Sequence, residues 1–306
     1  MLEPAHATIP RSSLGQRWGQ LIRTLRVGRW LTGLAILVVI ITIVAAVFAP
    51  LLSDRDPTLA VPASRLQPPG QDGHVLGTDL LGRDIYTRLL YGARLAWLVG
   101  GTVAGISVLV GSLLGALAGY FDGWLNEAIS RLIDAVLAFP ALLLALVLAA
   151  IYGPSTRTAI VALSVAYVPL VARVVRAVVL RERELDYVRA SRGLGNPEWL
   201  TLWRHIIPNT LGPLLVVATI VASRAIIVES SLSFLGAGTQ APLANWGLMV
   251  RDGRDVILQF PRLLLVPALT LSLTVLAINL VADALGDYVE AGQLDAGEQV
   301  DAGEQA

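Results

Sequence analysis

Residues 31–52 carry no charged side chain, and a run of this length constrains the fold more than any motif. As an α-helix it would rise about 33 Å, enough to cross a hydrocarbon core of about 30 Å. Within lipid a helix is one of only two backbones that satisfy all their own peptide groups. Residues 95–121 and 135–156 are likewise uncharged, 158–180 is uncharged until Arg173 and Arg176 near its end, 206–228 carries only Arg224, and 263–282 completes the set. The expectation is an all-α integral membrane protein with six spans. The first run is longer than a signal-peptide core and ends without a small-x-small site, so it reads as an uncleaved anchor.

Composition narrows the chemistry. With 55% hydrophobic and only 15% charged residues, the chain departs from soluble domains in the same direction as its spans. It contains no cysteine, which removes disulfides, thiolate metal sites and a cysteine nucleophile. All 23 basic residues are arginine, so there is no lysine for a phosphate-binding loop or a Schiff base. ATP, if it drives this protein, must bind another chain. The net charge of zero and the lack of a basic run interleaved with aromatics give no sign of nucleic acid.

Arginine placement orients the spans. With the first residue inside, 13 arginines fall on the inner side and 9 on the outer, the bias expected of a chain with both termini in the cytoplasm. The organisation read from this is an inner segment 1–30, a first span 31–52, an outer loop 53–94, a core 95–287 and an acidic tail 288–306. Leu14, Trp18, Leu21 and Leu25 recur at helical spacing among arginines, as in an amphipathic helix on the inner leaflet; a disordered basic tail is the simpler reading. The tail repeats Asp-Ala-Gly-Glu-Gln and has no apolar period, so disorder is expected there.

The second span carries Gly101 and Gly105, then Gly111, Gly115 and Gly119. Small residues four apart let another helix approach closely, inside the protomer, at a subunit interface or along a translocation path. Pro140, Pro169, Pro208, Pro213 and Pro267 lie in or near spans, where kinks are tolerated.

The polar segment 181–208, held between two apolar runs, reads helix, break, helix. Gly195 can take a positive φ and end the first helix, Asn196 can cap the next, and Pro197 suits its first turn. Leu185, Val188 and Leu194 offer an apolar edge, flanked by Tyr187, while Arg189 and Arg192 can meet acidic groups. An ordinary interfacial helix is the plainer reading, and a DNA-reading helix-turn-helix would be pinned between two spans. In spacing, Arg189-Ala190-Ser191, Gly195 and His205-Ile-Ile-Pro208 resemble the EAA loop of ABC-importer permeases. Arg and Ser stand where that pattern has Glu and its second Ala.

Two further segments resemble the dipeptide, oligopeptide and nickel subfamily of those permeases. One is Gly77-Thr-Asp79-Leu-Leu-Gly82-Arg83-Asp84 with Arg88, Gly92 and Arg94; the other is Leu232-Ser-Phe-Leu-Gly236 followed by Trp246-Gly247. By chemistry alone Asp79 and Asp84 could pair as carboxylates or hold a metal, whereas alternating Asp and Arg fits a loop held by salt bridges. The chain departs from the subfamily at Ala282-Asp-Ala-Leu-Gly-Asp287, with Ala for Gly and Gly for Arg.

Ionisable groups inside spans are few. Arg224 is about four residues from the outer end of its expected span, where it can line a substrate path or anchor at the interface. Glu229, five residues further on, is the other residue of that candidate path.

The resemblance implies the fold of a type I ABC-importer permease, one extra N-terminal helix before a five-helix core. It also implies a second homologous permease, two ATP-binding subunits carrying ATP and Mg, an extracytoplasmic substrate-binding protein, and a place in a bacterial cytoplasmic membrane. The hairpin helix would dock on the ATPase, and this chain would hold no cofactor and do no covalent chemistry. Peptides are the implied cargo, with nickel or another small solute as the alternative. An ion-coupled secondary transporter would need ionisable or unwound sites at mid-membrane in an inverted repeat. An intramembrane hydrolase would need a nucleophile and base at one depth. Neither pattern is clear here.

Overall fold

A computed structural model describes the backbone of residues 14–304 and the side chains of residues 30–291 apart from that of Arg192. The helices in chain order are α1 (Leu14–Leu52), α2 (Ile85–Tyr120), α3 (Trp124–Leu137), α4 (Ala141–Tyr152), α5 (Thr156–Glu182), α6 (Asp186–Gly193), α7 (Glu198–Thr201), α8 (Leu211–Phe234), α9 (Trp246–Arg254) and α10 (Arg262–Glu304). Among the described residues there is no β-strand, only an isolated bridge between Thr78 and Asp84.

Among the described residues five helical stretches are long and apolar enough to cross a membrane, and the bent pair α3–α4, taken as one span, brings the count to six. The third expected span is where sequence and structure part. It is not one straight helix over 135–156: α3 and α4 meet at 84°, across Ala138-Phe139-Pro140. The proline ring has no N–H to give and disfavours helix in the residue before it. At about 1.5 Å per residue, the 12 residues of α4 rise only about 18 Å.

The second span begins ten residues before its expected start, because Asp84 caps α2 by accepting the Thr87 N–H at 2.8 Å. The outer loop is correspondingly shorter than 53–94. α8 starts and ends five to six residues later than the expected 206–228. Before it come a π-helical turn over Leu202–Ile206 and a 3-10 turn over Ile207–Thr210 containing Pro208, the kind of irregular helix often found at functional positions.

α2, α5 and α8 form the centre. Gly111, Gly115 and Gly119 face α5 so closely that a Cβ on Gly115 would stand 2.4 Å from the Ala172 carbonyl oxygen. This ridge therefore packs inside the protomer, whereas a Cβ on Gly101 or Gly105 would meet nothing within 4 Å. Val99, Val103, Leu163, Val171, Val175 and Val221 fill the core between these helices. α1 lies at the edge against α2 and α10, and its exposed leucines and isoleucines, like Leu109 and Leu113 on α2, form an apolar surface suited to lipid.

The amphipathic face expected for Leu14, Trp18, Leu21 and Leu25 lies outside the described side chains; the backbone there continues into α1. At the other end α10 runs on to Glu304, over the stretch for which composition reads disorder. Its side chains beyond 291 lie outside the described residues.

Candidate functional site

Two clusters of predicted site residues are built at opposite ends of the helices. The first is the hairpin formed by α6 and α7. Gly195 has φ +80°, as the sequence predicts for a left-handed helix end. Around it the orphan carbonyls of α6 are satisfied: the Leu194 N–H donates to Ala190 O at 3.0 Å and the Asn196 N–H to Ser191 O at 3.3 Å. Asn196 does not cap the next helix. Its Nδ2 donates to Ser191 Oγ at 3.1 Å, and Ser191 Oγ lies 3.1 Å from Thr201 Oγ1. The capping site of α7 falls on Pro197, so the asparagine closes the hairpin instead.

The hairpin is tied to the spans by buried polar groups. Glu182, buried at the end of α5, accepts from the Tyr187 phenol at 2.5 Å and from Asn209 Nδ2 at 2.9 Å. Asn209 Nδ2 also donates to the Tyr187 oxygen at 3.0 Å. Burial first, and the neighbouring Glu182 carboxylate with it, push the Tyr187 phenol up to about 12. Tyr120, at the end of α2, donates to Glu198, and Arg183 Nη1 donates to Gly119 O at 3.1 Å.

Val188 is a correction to the expected contact edge. It is fully buried in the core with Tyr120, Val179, Leu202 and Ile206, so it fastens the hairpin rather than presenting it. Leu185 and Tyr187 are exposed, and Leu194 is 83% exposed. Sequence reasoning missed Trp199 and Trp203, exposed by 63% and 61%; aromatic residues in a polar segment between spans were the available signal. Arg189 and Ala190 are exposed. Arg189 already pairs with Glu184 at 3.3 Å and Asp186 at 3.6 Å. Exposed pairs of this kind contribute only about 0–1 kcal/mol, so a partner's carboxylate can replace them at little cost. The Arg192 side chain lies outside the described residues.

The second cluster joins the two signature segments. Gly82 has φ +75° and sits so close to the preceding loop that a Cβ would lie 1.9 Å from Val61 O; Gly77 is similarly crowded by Gln67 O. This turn delivers Asp79 and Arg83 to each other, with Nε 2.6 Å from Oδ2. Arg83 also reaches Asp252 of α9 at 3.2 Å. Arg88, almost wholly buried, donates to Pro57 O at 2.9 Å and to Pro242 O at 3.3 Å. Trp246, equally buried, donates from its indole N–H to Leu89 O at 3.1 Å.

Asp79 and Asp84 are thus engaged separately. Asp84 accepts from Thr87 and from His74 Nδ1 at 2.8 Å. Burial pushes its carboxyl up, but the Thr87 and His74 hydrogen bonds outweigh this and hold it below the ordinary value. No group of His, Asp and Glu suited to a metal ion occurs among the described residues.

Arg224 and Glu229 are not brought together. Five residues apart on α8, they point about 140° away from each other. Glu229 is buried under the segment 236–245, accepting from Ser233 Oγ at 2.7 Å, Thr239 Oγ1 at 2.7 Å and Asn245 Nδ2 at 2.8 Å. It organises that segment and lines no path within this chain. Arg224 is exposed, with ten further residues of α8 beyond it. About 15 Å of helix therefore separates it from that end of α8.

Comparison with known proteins follows the same outline. A family model described as "Binding-protein-dependent transport system inner membrane component" matches residues 111–294. The dipeptide transport system permease protein DppC of Escherichia coli (strain K12) is 44% identical over 261 residues, covering 82% of this chain and 86% of that protein. The di/tripeptide transport system permease protein DppC of Pseudomonas aeruginosa (strain UCBPP-PA14) is 39% identical over 260 residues, covering 83% and 86%. Among solved structures, a chain of the MetNI methionine ABC transporter in an inward-facing conformation superposes with a TM-score of 0.53 at 19% identity, over 66% of this chain and 95% of that one. That likeness supports the all-α importer-permease fold. The chain belongs to the family of binding-protein-dependent transport system inner membrane components, the membrane-spanning permeases of ABC transporters.

Proposed function

We propose that this chain is one of two membrane subunits of an ATP-driven importer of short peptides, seated in a bacterial cytoplasmic membrane with both termini inside. A second, homologous permease completes the path, and two ATP-binding subunits, holding ATP and Mg, dock beneath. An extracytoplasmic binding protein delivers the peptide to the outer cap around α9. The chain itself does no covalent chemistry and holds no cofactor. Peptide specificity rests on the relatives named dipeptide and di/tripeptide permeases.

The observation that carries the reading is the hairpin. It sets Leu194, Trp199 and Trp203 out from the molecule on a support made rigid by Glu182, Tyr187 and Val188. Residues 185–195, including Leu185, Tyr187, Arg189, Ala190 and Leu194, form the surface on which the ATPase seats, while Ser191 and Gly195 shape the turn. ATPase closure pushes this surface, the push passes through Glu182 into α5 and through Asn209 toward α8, and the core helices reorient. The outer segment Gly77, Asp79, Gly82, Arg83 and Asp84 is the clamp that holds the outer cap while they do so.

The test is reconstitution of the complete complex in liposomes with labelled dipeptide. ATP-dependent uptake that requires the binding protein is the expected result. Binding-protein-stimulated hydrolysis without uptake of any di- or tripeptide would reject the peptide assignment, and nucleotide hydrolysis by this chain alone would reject the subunit role.

A further inference from the structure

Arg224 stands at one end of a cleft of about 660 Å³ between α5, α8 and α10. The α8 wall is a single helical face on which Pro213, Val217 and Ile220 lead up to Arg224, and the α5 wall is apolar. The only other charged residues lining the cleft are Asp283, Asp287 and Glu290, all on α10. Each of these four side chains is exposed, and none makes a hydrogen bond or ion pair with another described residue; the Tyr167 phenol lies within electrostatic range of Arg224.

Two contacts fix the register of α8 against α10. Ser223 Oγ donates to Asn279 Oδ1 at 2.8 Å, and Gly212 lies against Val289, where a Cβ would stand 3.0 Å from Cγ1. The helices are antiparallel, so Arg224 is level with about residue 278. Asp283, Asp287 and Glu290 then lie about 7, 13 and 18 Å closer to the hairpin end, at about 1.5 Å per residue. The cleft is therefore positive at its deep end, apolar along its wall, and negative toward the hairpin.

A guanidinium carried within a spanning helix is costly to leave without a partner, and such residues usually face a cavity and meet a counter-charge there. A short peptide has the matching polarity. Its carboxylate suits the bidentate fork of arginine, and two extended residues span about 7 Å, the axial offset between Arg224 and Asp283. We propose that Arg224 receives the terminal carboxylate of a peptide in transit, while the α10 carboxylates, Asp283 first, receive its ammonium group. Asp287 and Glu290 extend the same ladder to longer peptides and to the exit. This assignment rests on the peptide-importer reading above.

The chain has no cysteine, so Ile220→Cys places a single reporter in the cleft, one helical turn from Arg224. In the complete complex, with partner chains made cysteine-free, the rate of maleimide labelling is measured with a dipeptide, its C-terminal amide and its N-acetyl form. The dipeptide is expected to slow labelling. The amide, or Arg224→Gln, should need at least about tenfold more peptide for the same protection, the effect of losing a charge-assisted contact, and Arg224→Lys should restore part of it. Equal protection by dipeptide and amide, protection unchanged in Arg224→Gln, or a cysteine covered by the partner permease would overturn the proposal. Dipeptide uptake by the same complex is measured in parallel. Uptake without protection rejects only the Arg224 assignment, whereas no uptake of any peptide rejects the function on which it rests.

Discussion

The phenol of Tyr187 donates to the buried carboxylate of Glu182 at 2.5 Å, joining the exposed hairpin to the last residue of the span before it. A hydrogen bond to a charged group contributes about 1.5–3 kcal/mol, and here it sets the angle at which the hairpin leaves the membrane. Tyr187→Phe should leave insertion intact and lower binding-protein-stimulated hydrolysis relative to basal hydrolysis, read on the reconstituted complex. Because the folded phenol is raised to about 12 above an ordinary value near 10, its contribution is full below about pH 10 and is lost as pH rises through about 12. A coupling ratio in Tyr187→Phe equal to wild type would remove this tie from the transmission route.

Glu229 should behave as a structural hub. Glu229→Ala strands the donors of Ser233, Thr239 and Asn245, at about 1–3 kcal/mol for each buried donor left unpaired. The expected result is a lower unfolding temperature in detergent and faster proteolysis within 236–245, with the hairpin end unaffected. Trp246→Ala should cost about 3–5 kcal/mol by emptying a buried aromatic site at the same cap.

Asp84 gives the outer cap an acid limit. Its folded carboxyl is held below the ordinary value, so its stabilisation is present above about pH 3.9 and is lost as pH falls through the depressed value. The difference in thermal stability between wild type and Asp84→Asn, followed from pH 7 down to pH 3, should shrink as the pH falls below about 3.9. A constant difference across that range would contradict the role given to the His74 and Thr87 hydrogen bonds.

Topology is open to a direct check. Cysteines at Ala63 and Leu258, both exposed, should react with a membrane-impermeant thiol reagent in intact cells, and one at Leu194 only after lysis. The reverse pattern would invert the orientation read from the arginines.

Much of this architecture was legible in the sequence, for reasons that differ by residue. The uncharged runs locate the long helices because lipid tolerates no other open backbone, and Gly195 marks its turn because a positive φ there suits glycine. The early start of α2 was hidden because Arg88 and Arg94 read as solvated loop, whereas Arg88 is buried by carbonyls from Pro57 and Pro242, residues far apart in sequence. Pro140 marks a kink in its apolar run, but the 84° turn that splits the span into α3 and α4 is larger than the proline alone announces. Val188 and Asn196 were misassigned on local pattern; tertiary packing turned one into the core and drew the other back to Ser191. Glu229 lies only five residues from Arg224, yet its partners are Ser233 of its own helix and Thr239 and Asn245 of the following segment.

The most direct test of the account is Gly195→Val, measured for assembly, hydrolysis and uptake on one reconstituted preparation. A Cβ at this position would meet no neighbour within 4 Å, so the substitution acts chiefly through the backbone, where a positive φ costs a residue with a side chain about 1–2 kcal/mol. The hairpin account predicts a complex assembled in normal amount, with uptake and binding-protein-stimulated hydrolysis falling together, roughly five- to thirtyfold if the strain is spent on the docking geometry. Wild-type uptake by a properly assembled Gly195→Val complex would contradict the claim that this hairpin couples ATP hydrolysis to transport.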